Sequence, residues 1–261
     1  MPDAVQQDFT GKTAIVTGGS GGIGKAAATL LLARGANVVI AGRSEDKLAS
    51  ALSDLGAPDR THHVATDIGK ESDVEALIAS AQDRFGGLDI MVANAGNEGQ
   101  VKPLLNLTLE EFSSVQRTNI DGTFLTLKHA ALAMQDKGGA IVCTGSVASL
   151  VGVTGLGAYA PSKHAIAGLV QVAALELAPL GIRVNAVAPA PIDNDMMRTI
   201  ESMVAPPEAQ AEAQAGFASL NPMNRYGTND EVAAAIAFLA SPAASFINGT
   251  VLPVDGGFLA Q

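Results

Sequence analysis

The sequence predicts an α/β fold, in which an open, doubly wound parallel sheet carries helices on both faces. Short β-branched runs alternate along the chain with longer segments rich in alanine and leucine. The predicted strands are continuously apolar, which indicates that both faces of the sheet are covered. A regular strand–helix–strand order implies right-handed crossovers and therefore parallel strands.

Seven strands and six helices follow from this pattern. The first strand, 12–18, precedes a helix over 22–35, whose apolar residues recur at helical spacing and which ends at a glycine. Ser44 is a suitable N-cap for the second helix, because two acidic residues follow in its first turn. The other strands are predicted at 37–42, 62–68, 88–96, 139–146, 183–189 and 249–257, and the other helices at 71–85, about 108–134, about 157–179 and 229–240.

Composition excludes several classes of protein. Of 261 residues, 48% are hydrophobic and 16% are charged, which suffices for a large core and excludes a disordered chain. A net charge of −10 argues against nucleic acid and anionic membranes as partners. The first residues lack a basic region followed by an apolar core, so we expect a cytoplasmic protein without a secretory signal.

The sequence predicts neither a metal site nor a reactive thiol. The single cysteine, Cys143, lies in a predicted apolar strand and is interpreted as a buried structural thiol. The four histidines show none of the spacings that ligate metals.

Residues 190–227 interrupt the alternation with a segment rich in proline and methionine. The segment follows the carboxyl end of a strand, where open α/β sheets bind ligands. We therefore predict a substrate-binding lid within the single domain 1–261; a plain surface excursion is the alternative.

The glycine-rich stretch "TGGSGGIG" (17–24) lies where the first strand meets the first helix. Glycine allows a tight turn and a close backbone approach to a ligand. The helix N-terminus offers free N–H groups and a positive dipole end to a pyrophosphate. This position in a β–α–β unit favours a dinucleotide site over a structural turn.

Tyr159 and Lys163 lie one helical turn apart in the predicted helix over 157–179. A tyrosine with its ordinary pKa near 10 is a poor base at neutral pH, and a nearby cation lowers that pKa by favouring the phenolate. The pair is thus a candidate acid–base group; a packed tyrosine beside a solvated lysine is the alternative.

Together these motifs resemble the short-chain dehydrogenase/reductase family, in the branch of about 250 residues with 3-oxoacyl-ACP reductase-like members. The glycines have the spacing T-G-x-x-x-G-x-G, and Tyr159 and Lys163 match Y-x-x-x-K. Departures are Ala190, where the family has glycine, and Asn194, where it has threonine. Further matches are Asp67 in "ATDI", "ANAG" (93–96), Asn119 in "RTNIDGTF", Ser146 in "CTGSVAS", "NAVAPA" (185–190) and "INGTVLPVDGG" (247–257).

The resemblance covers about residues 8–258 and implies a single-domain Rossmann fold with a seven-stranded sheet. It implies an NAD(P)(H)-dependent oxidoreductase that moves a hydride between the nicotinamide and a secondary alcohol or ketone. Tyr159 would be the general acid/base, supported by Lys163, which would also bind the nicotinamide ribose. Ser146 would stabilise the substrate oxygen, and Asn119 would hold a water that links Lys163 to solvent.

By the same resemblance, a set of backbone and side-chain groups would bind the cofactor. They are Gly18, Ser20, Gly22, Ile23, Gly24, Arg43, Asp67, Ile68, Asn94, Ala95, Gly96, Tyr159, Lys163, Pro189, Ile192 and Asn194.

The end of the second strand favours NADP(H) over NAD. An NAD-selective fold usually has an acid there to bind the ribose 2′-hydroxyl. This chain has Gly42, which leaves room for a 2′-phosphate, and Arg43, which can bind one. Arg43 stacked on adenine or facing water, with NAD accepted, is the alternative.

The substrate side can be outlined only by position. Glu98 follows the strand over 88–96 and could bind hydroxyls of a diol or repel anions; a solvated loop acid is the alternative. Leu156, Met196 and Met197 are expected to form apolar walls. The predicted substrate-binding set is Glu98, Ser146, Leu156, Tyr159, Met196 and Met197.

Alternatives to this function and its assembly stay open. The chain could be a non-catalytic nucleotide-binding regulator on the same fold, or an NAD-preferring dehydrogenase of a cyclic alcohol or diol. An epimerase or dehydratase of the extended branch is disfavoured, because those chains are longer. The resemblance also implies a homotetramer paired through the helices over 108–134 and 157–179.

Overall fold

Seven parallel strands form one sheet in the computed structural model, which describes residues 7–261. The order across the sheet is β3-β2-β1-β4-β5-β6-β7, so the predicted Rossmann-type α/β fold is confirmed. The strands are β1 Thr13–Thr17, β2 Asn37–Gly42, β3 Thr61–Ala65, β4 Ile90–Ala93, β5 Gly139–Thr144, β6 Ile182–Pro189 and β7 Val251–Val254.

Helices lie on both faces of the sheet. Alternate residues of β1 belong to different buried clusters: Val16 packs in one with Leu31, and Ile15 packs in the other with Leu77 and Met134. A strand buried on both faces needs no polar side, which explains its continuous apolar run. The helices are α1 Gly22–Ala33, α2 Glu45–Leu55, α3 Glu71–Phe85, α4 Leu109–Gln116, α5 Gly122–Met134, α6 Tyr159–Leu177, α7 Asp195–Val204, α8 Gln210–Ala218 and α9 Asn229–Ala240.

The long helix predicted over 108–134 is interrupted. It begins at α4 with a capping box, in which the Thr108 hydroxyl accepts from Glu111 N at 3.3 Å. A π-helical turn over Arg117–Asp121 then separates α4 from α5. Such single π turns are rare and frequently lie at functional sites, because they shift side chains off the regular helical register. This one carries the buried Asn119.

The chain reverses its direction across the sheet between β1 and β4. It runs outward through β2 and β3, returns to β4 beside β1, and then continues outward to β7. At such a switch point the loops after two neighbouring strands diverge and leave a crevice at their carboxyl ends. The glycine-rich stretch after β1 and the "ANAG" stretch at the end of β4 therefore meet there.

The segment 190–227 contains two helices, α7 and α8, which the sequence pattern did not predict. Its two ends are joined: Asp193 N donates to the Gly227 carbonyl at 2.9 Å, and Gly227 N donates to the Pro191 carbonyl at 3.0 Å. The segment is therefore closed on itself at its base. Within residues 7–261, no helix has the length and apolar character needed to cross a bilayer.

Candidate active site

The turn after β1 depends on glycine at two kinds of position. Gly18 and Gly22 have φ values of +67° and +50°, which disfavour residues with a Cβ. A Cβ on Gly24 would lie 2.2 Å from the Gly18 carbonyl oxygen, so only glycine lets α1 start this close to the strand. The first amides of α1 have no side-chain cap, since its N-cap is Gly21. These amides can bind the oxygens of a phosphate.

Asn94 supports this turn from the end of β4. Thr17 Oγ1 accepts from Asn94 N at 3.0 Å and from Ala95 N at 3.1 Å. The Asn94 amide donates to the Thr17 carbonyl at 3.0 Å and accepts from Thr144 Oγ1 at 3.1 Å. Asn94 therefore ties the ends of β1, β4 and β5 together, and it shapes the crevice through the backbone.

A cavity of about 520 Å³ opens along the carboxyl ends of β1 to β4. Seven of the predicted cofactor-binding residues line it: Gly18, Ser20, Arg43, Asp67, Ile68, Ala95 and Gly96. Its volume and glycine-lined wall fit the adenosine half of a dinucleotide. Residues missed by the sequence reasoning also line it, namely Ala41, Ser44, Lys47, Thr66 and Thr118.

Lys163 is held as a buried cation behind this crevice. Its side chain is 4% exposed, and its Nζ donates to the Thr144 carbonyl at 2.8 Å. Gly96 lies beside it: a Cβ there would make an ordinary contact of 3.6 Å with Lys163 Nζ and a tight one of 3.1 Å with Asn119 Oδ1. Burial lowers the pKa of Lys163 to about 8, which is close enough to neutrality for the amine to exchange a proton.

Asn119 joins the π turn to the loop after β4 and to α6. Its amide donates to the Asn97 carbonyl and to Ser162 Oγ, both at 2.9 Å, and its Oδ1 accepts from Asn97 N at 2.9 Å. Ser162 in turn donates to the Tyr159 carbonyl at 2.6 Å. Both amide hydrogens of Asn119 are thus engaged in fixing the first turn of α6.

Burial, and not the neighbouring cation, dominates the chemistry of Tyr159. The Lys163 ammonium lies 5.4 Å from the Tyr159 ring centroid, as the helical spacing predicts. Burial nevertheless raises the pKa of Tyr159 to about 12, against the expectation that the pair lowers it. A hydrogen bond from Ser146 favours the phenolate, and the charge of Glu98 disfavours it. Tyr159 therefore holds its proton in the protein as it stands.

Ser146 is positioned by a short capping turn after β5. Its Oγ accepts from Ala148 N at 3.2 Å, and its own N–H donates to Ser149 Oγ at 3.1 Å. Because Ser146 Oγ accepts from the backbone, its hydroxyl hydrogen stays free to donate toward Tyr159 or a substrate oxygen. Ser146 therefore caps the turn that follows β5.

The predicted substrate residues are only partly brought together. Leu156 packs with Tyr159 and Ala148 in a small buried cluster. Glu98 is half-buried and close enough for its charge to act on Tyr159. In contrast, Met196 is half-buried and Met197 buried in α7, and neither packs in that cluster with Tyr159.

Nine of the sixteen predicted cofactor residues do not line the main cavity, and three of these lie at or after the end of β6. Pro189 ends β6, and Ile192 is buried in the core cluster of α1 and α9. Asn194 caps α7 by accepting from Met197 N at 3.2 Å. Its Nδ2 lies 3.6 Å from where a Cβ on Gly22 would be, so Asn194 borders the phosphate-binding turn.

Two further features carry titratable groups: Cys143, whose thiol interacts with the charge of Lys163, and a cluster on the surface. Cys143 is fully buried, and burial raises the pKa of its thiol to about 12, which makes it a poor nucleophile. Glu71, Glu75 and His129 place possible metal-ligand atoms within 4.8 Å of one another on the surface. Lys128 Nζ already lies 2.6 Å from Glu71, so we assign no metal there. This cluster joins two helices and has no sequence spacing that could have revealed it.

Comparison with known proteins identifies the family. A family model described as enoyl-(acyl carrier protein) reductase matches residues 18–259. The chain belongs to the short-chain dehydrogenase/reductase family. It is therefore an oxidoreductase that acts on CH–OH groups and their carbonyl counterparts, and the interpretation as a non-catalytic nucleotide-binding regulator is not favoured.

This short-chain dehydrogenase/reductase is similar along its whole length to proteins of known activity. It is 39% identical over 255 residues to 2,5-dichloro-2,5-cyclohexadiene-1,4-diol dehydrogenase of Sphingobium indicum, covering 97% of this chain and 99% of that one. It is 41% identical over 255 residues to cis-4-hydroxycyclohexanecarboxylate dehydrogenase of Sinomonas cyclohexanicum, covering 97% and 98%. The crystal structure of levodione reductase superposes with a TM-score of 0.93 at 36% identity, covering 97% and 99%.

The buried amine of Lys163 predicts an unusual pH dependence of stability. Between about pH 8 and 10, the unfolded lysine keeps a proton that the folded one has lost, so the free energy of unfolding rises with pH. We expect a rise of about 2 kcal/mol in the wild type relative to Lys163→Met, measured by urea unfolding at both pH values. The buried Cys143 thiol, with its pKa raised to about 12, opposes this rise in both proteins, so the comparison with Lys163→Met removes most of its contribution. If the free energy of unfolding changed equally with pH in the two proteins, a lowered pKa for the buried Lys163 would be contradicted.

Proposed function

We propose that this protein interconverts a cyclic secondary alcohol and its ketone, with Tyr159 as the general acid/base. The observation that carries the proposal is the convergence of Tyr159, Ser146 and Lys163 beside the dinucleotide-shaped crevice. Two relatives named for six-membered rings, one a 1,4-diol and one a 4-hydroxy acid, support the substrate class.

In the direction of reduction, the protein supplies a proton while the bound nicotinamide supplies the hydride to the carbonyl carbon. Tyr159 donates its phenolic proton to the oxygen that becomes the hydroxyl. The Ser146 hydroxyl donates a hydrogen bond to the same oxygen and stabilises its developing charge. Lys163 returns a proton toward the phenolate, since its pKa of about 8 lies near working pH. Oxidation of the alcohol reverses each transfer.

Asn119 cannot donate a hydrogen bond to a relay water, because both hydrogens of its side-chain amide are already donated to Asn97 and Ser162. A relay water must therefore be held by groups that accept its hydrogens. We propose that the Asn119 side chain mainly fixes the distance between the loop after β4 and the first turn of α6. Tyr159 and Lys163 both depend on that turn.

Removal of the phenolic hydroxyl tests the proposal directly. In Tyr159→Phe we expect turnover to fall about a thousandfold, because the proton donor is lost while the crevice stays intact. Cofactor affinity, followed by nicotinamide fluorescence, should change less than about threefold. Retained turnover would show that another group moves the proton, and loss of cofactor binding would point to misfolding.

The residues at the end of β2 favour NADP(H) as the cofactor. Gly42 leaves space at the end of β2, and a Cβ there would make only ordinary contacts, the nearest to Leu48 and Ser20 at 3.6 Å. Arg43 and Lys47 both line the cavity beside it and are exposed. Two cations and a serine at one corner form a suitable site for a 2′-phosphate.

Exchange of Arg43 tests this preference. We expect the wild type to favour NADP⁺ over NAD⁺ by at least about tenfold in kcat/KM, and Arg43→Ala to lose most of that ratio through a weaker phosphate contact. Arg84→Ala, which removes an arginine of α3 outside the cavity, is the matched control and should leave the ratio unchanged. A wild-type preference of tenfold or more for NAD⁺ would refute the assignment.

Glu98 is proposed to select neutral hydroxylated substrates. It lies where its charge reaches Tyr159, so a substrate oxygen bound at Tyr159 has this carboxylate nearby. A carboxylate accepts a hydrogen bond from a second hydroxyl and repels a second carboxylate. The chain should therefore resemble the diol dehydrogenase more than the hydroxy-acid dehydrogenase in what it accepts.

The matched pair cyclohexane-1,4-diol and cis-4-hydroxycyclohexanecarboxylate tests Glu98. In Glu98→Gln we expect kcat/KM for the carboxylate to rise at least about fivefold and that for the diol to fall, because repulsion and hydrogen bonding both change. The rate profile should also shift to lower pH, since loss of the charge lowers the pKa of Tyr159. Glu75→Gln on the surface of α3 is the control. Equal responses to both alcohols would contradict the proposal.

The assembly remains a proposal supported by surface composition. Apolar side chains of α5 and α6 are exposed in the single chain, with Leu132 at 52% and Leu175 at 79%. Exposed apolar faces of this kind are typical of subunit interfaces. We therefore propose a homotetramer that pairs through these helices. A cytoplasmic location is a separate proposal, based on the sequence.

A further inference from the structure

Only two charged side chains are fully buried among residues 7–261. One is Lys163 of the active site, and the other is Glu201 in α7, at 2% exposed. The proposed reaction gives Glu201 no part. A carboxylate removed from water costs several kcal/mol unless it is paired and hydrogen-bonded. Burial of the Glu201 carboxylate therefore requires partners held in a definite geometry.

The partners of Glu201 come from α7 and from the far end of the 190–227 segment. Its Oε1 accepts from Tyr226 OH at 2.7 Å, and its Oε2 accepts from Arg198 Nη1 at 2.7 Å. The Arg198 guanidinium also lies 5.5 Å from the Tyr226 ring centroid. Burial and the negative charge of Glu201 raise the pKa of Tyr226, so the phenol remains a donor.

Arg198 extends this network outward to both neighbouring elements. Its Nη2 donates to Asp193 Oδ1 at 2.5 Å. The Gln214 amide oxygen of α8, turned toward the guanidinium, accepts from it at 2.9 and 3.1 Å. Arg198 thus ties α7 to α8 and to the loop before α7.

The network is connected to the phosphate-binding turn through Asn194. Asn194 caps α7 and also borders Gly22, so the place of α7 sets the place of this amide. Asp193 and Tyr226 lie at the closed base of the segment, where Asp193 N donates to Gly227. A shift of α7 would therefore move Asn194 relative to the cofactor-binding turn.

We propose that the buried Glu201 and Tyr226, together with the half-exposed Arg198, form a clamp that positions α7, and through it Asn194, against the bound cofactor. These are positioning residues, since none of them borders the crevice itself. The inference rests on the proposed role of Asn194 in cofactor binding, and it is independent of which alcohol reacts.

Cofactor affinity tests the clamp without turnover. Glu201→Gln and Tyr226→Phe each leave a buried partner unsatisfied, and we expect each to raise the Kd of NADPH, or of NADH if it binds tighter, at least fivefold. The probe is nicotinamide fluorescence, and the chain has no tryptophan to interfere. The KM for the cofactor should rise in parallel, with kcat changed less.

A double variant separates positioning from stability. Glu201→Met with Tyr226→Phe replaces both buried polar partners by apolar groups of similar size, which can restore stability. We expect its thermal midpoint to recover while the Kd stays raised. Leu77→Ala, a cavity in the core under α3, is the control that lowers the midpoint without changing the Kd.

The outcomes separate this inference from the proposed function. A double variant that recovers both its midpoint and its Kd would show that the network is packing only and would overturn the clamp. An unchanged Kd in both single variants would do the same and leave the proposed reaction intact. A wild type that binds neither cofactor would overturn the proposed function, and the clamp with it.

Discussion

The burial of the Lys163 ammonium at the carboxyl edge of the sheet is the constraint on which the site depends. A buried cation needs acceptors aimed at it, and the Thr144 carbonyl at the end of β5 supplies one at 2.8 Å. Gly96 follows the neighbouring strand β4, so the pairing of β4 with β5 brings the loop that carries Gly96 next to Lys163. The first turn of α6 must then start where it does, and Tyr159 starts it.

The same burial changes the proton affinities of both Tyr159 and Lys163. Burial raises the pKa of Tyr159 to about 12 and lowers that of Lys163 to about 8, so it separates the proton affinities of the phenol and the amine, which are ordinarily close. Transfer of a proton from the Lys163 ammonium to a Tyr159 phenolate is therefore favourable. Ser146 and Glu98 then act on Tyr159 in opposite directions. The hydroxyl favours the phenolate and the carboxylate disfavours it, and each effect is smaller than that of burial.

How much of this could be predicted follows from how locally each feature is encoded. The helices over 71–85 and 229–240 have the predicted bounds, because their caps and apolar spacing are contained in the segments themselves. The glycines of the crevice were predicted because their spacing is a local requirement of the turn, whereas Asp67 and Ile68 were predicted only through the family resemblance and residues such as Lys47 were missed. The π turn at Asn119 was not, since a one-residue shift of register leaves the apolar pattern of 108–134 almost unchanged. The pKa of Tyr159 was predicted in the wrong direction, because spacing shows the cation but not the depth of burial.

The structure of the 190–227 segment also could not be predicted from local sequence. The prediction for this segment was a substrate-binding lid, with a surface excursion as the alternative. The structure finds two helices there, and Glu201 of α7 contacts Tyr226, 25 positions away. Within α7 Glu201 is paired with Arg198, while Tyr226 lies in the loop between α8 and α9. A buried carboxylate is costly unless it is paired and hydrogen-bonded, and Glu201 has Tyr226 and Arg198 as such partners. Among residues 7–261, the fold thus buries the Lys163 ammonium beside Tyr159 and the Glu201 carboxylate in the segment that borders the turn after β1. Each makes the position of a helix depend on a few polar contacts instead of on apolar packing alone.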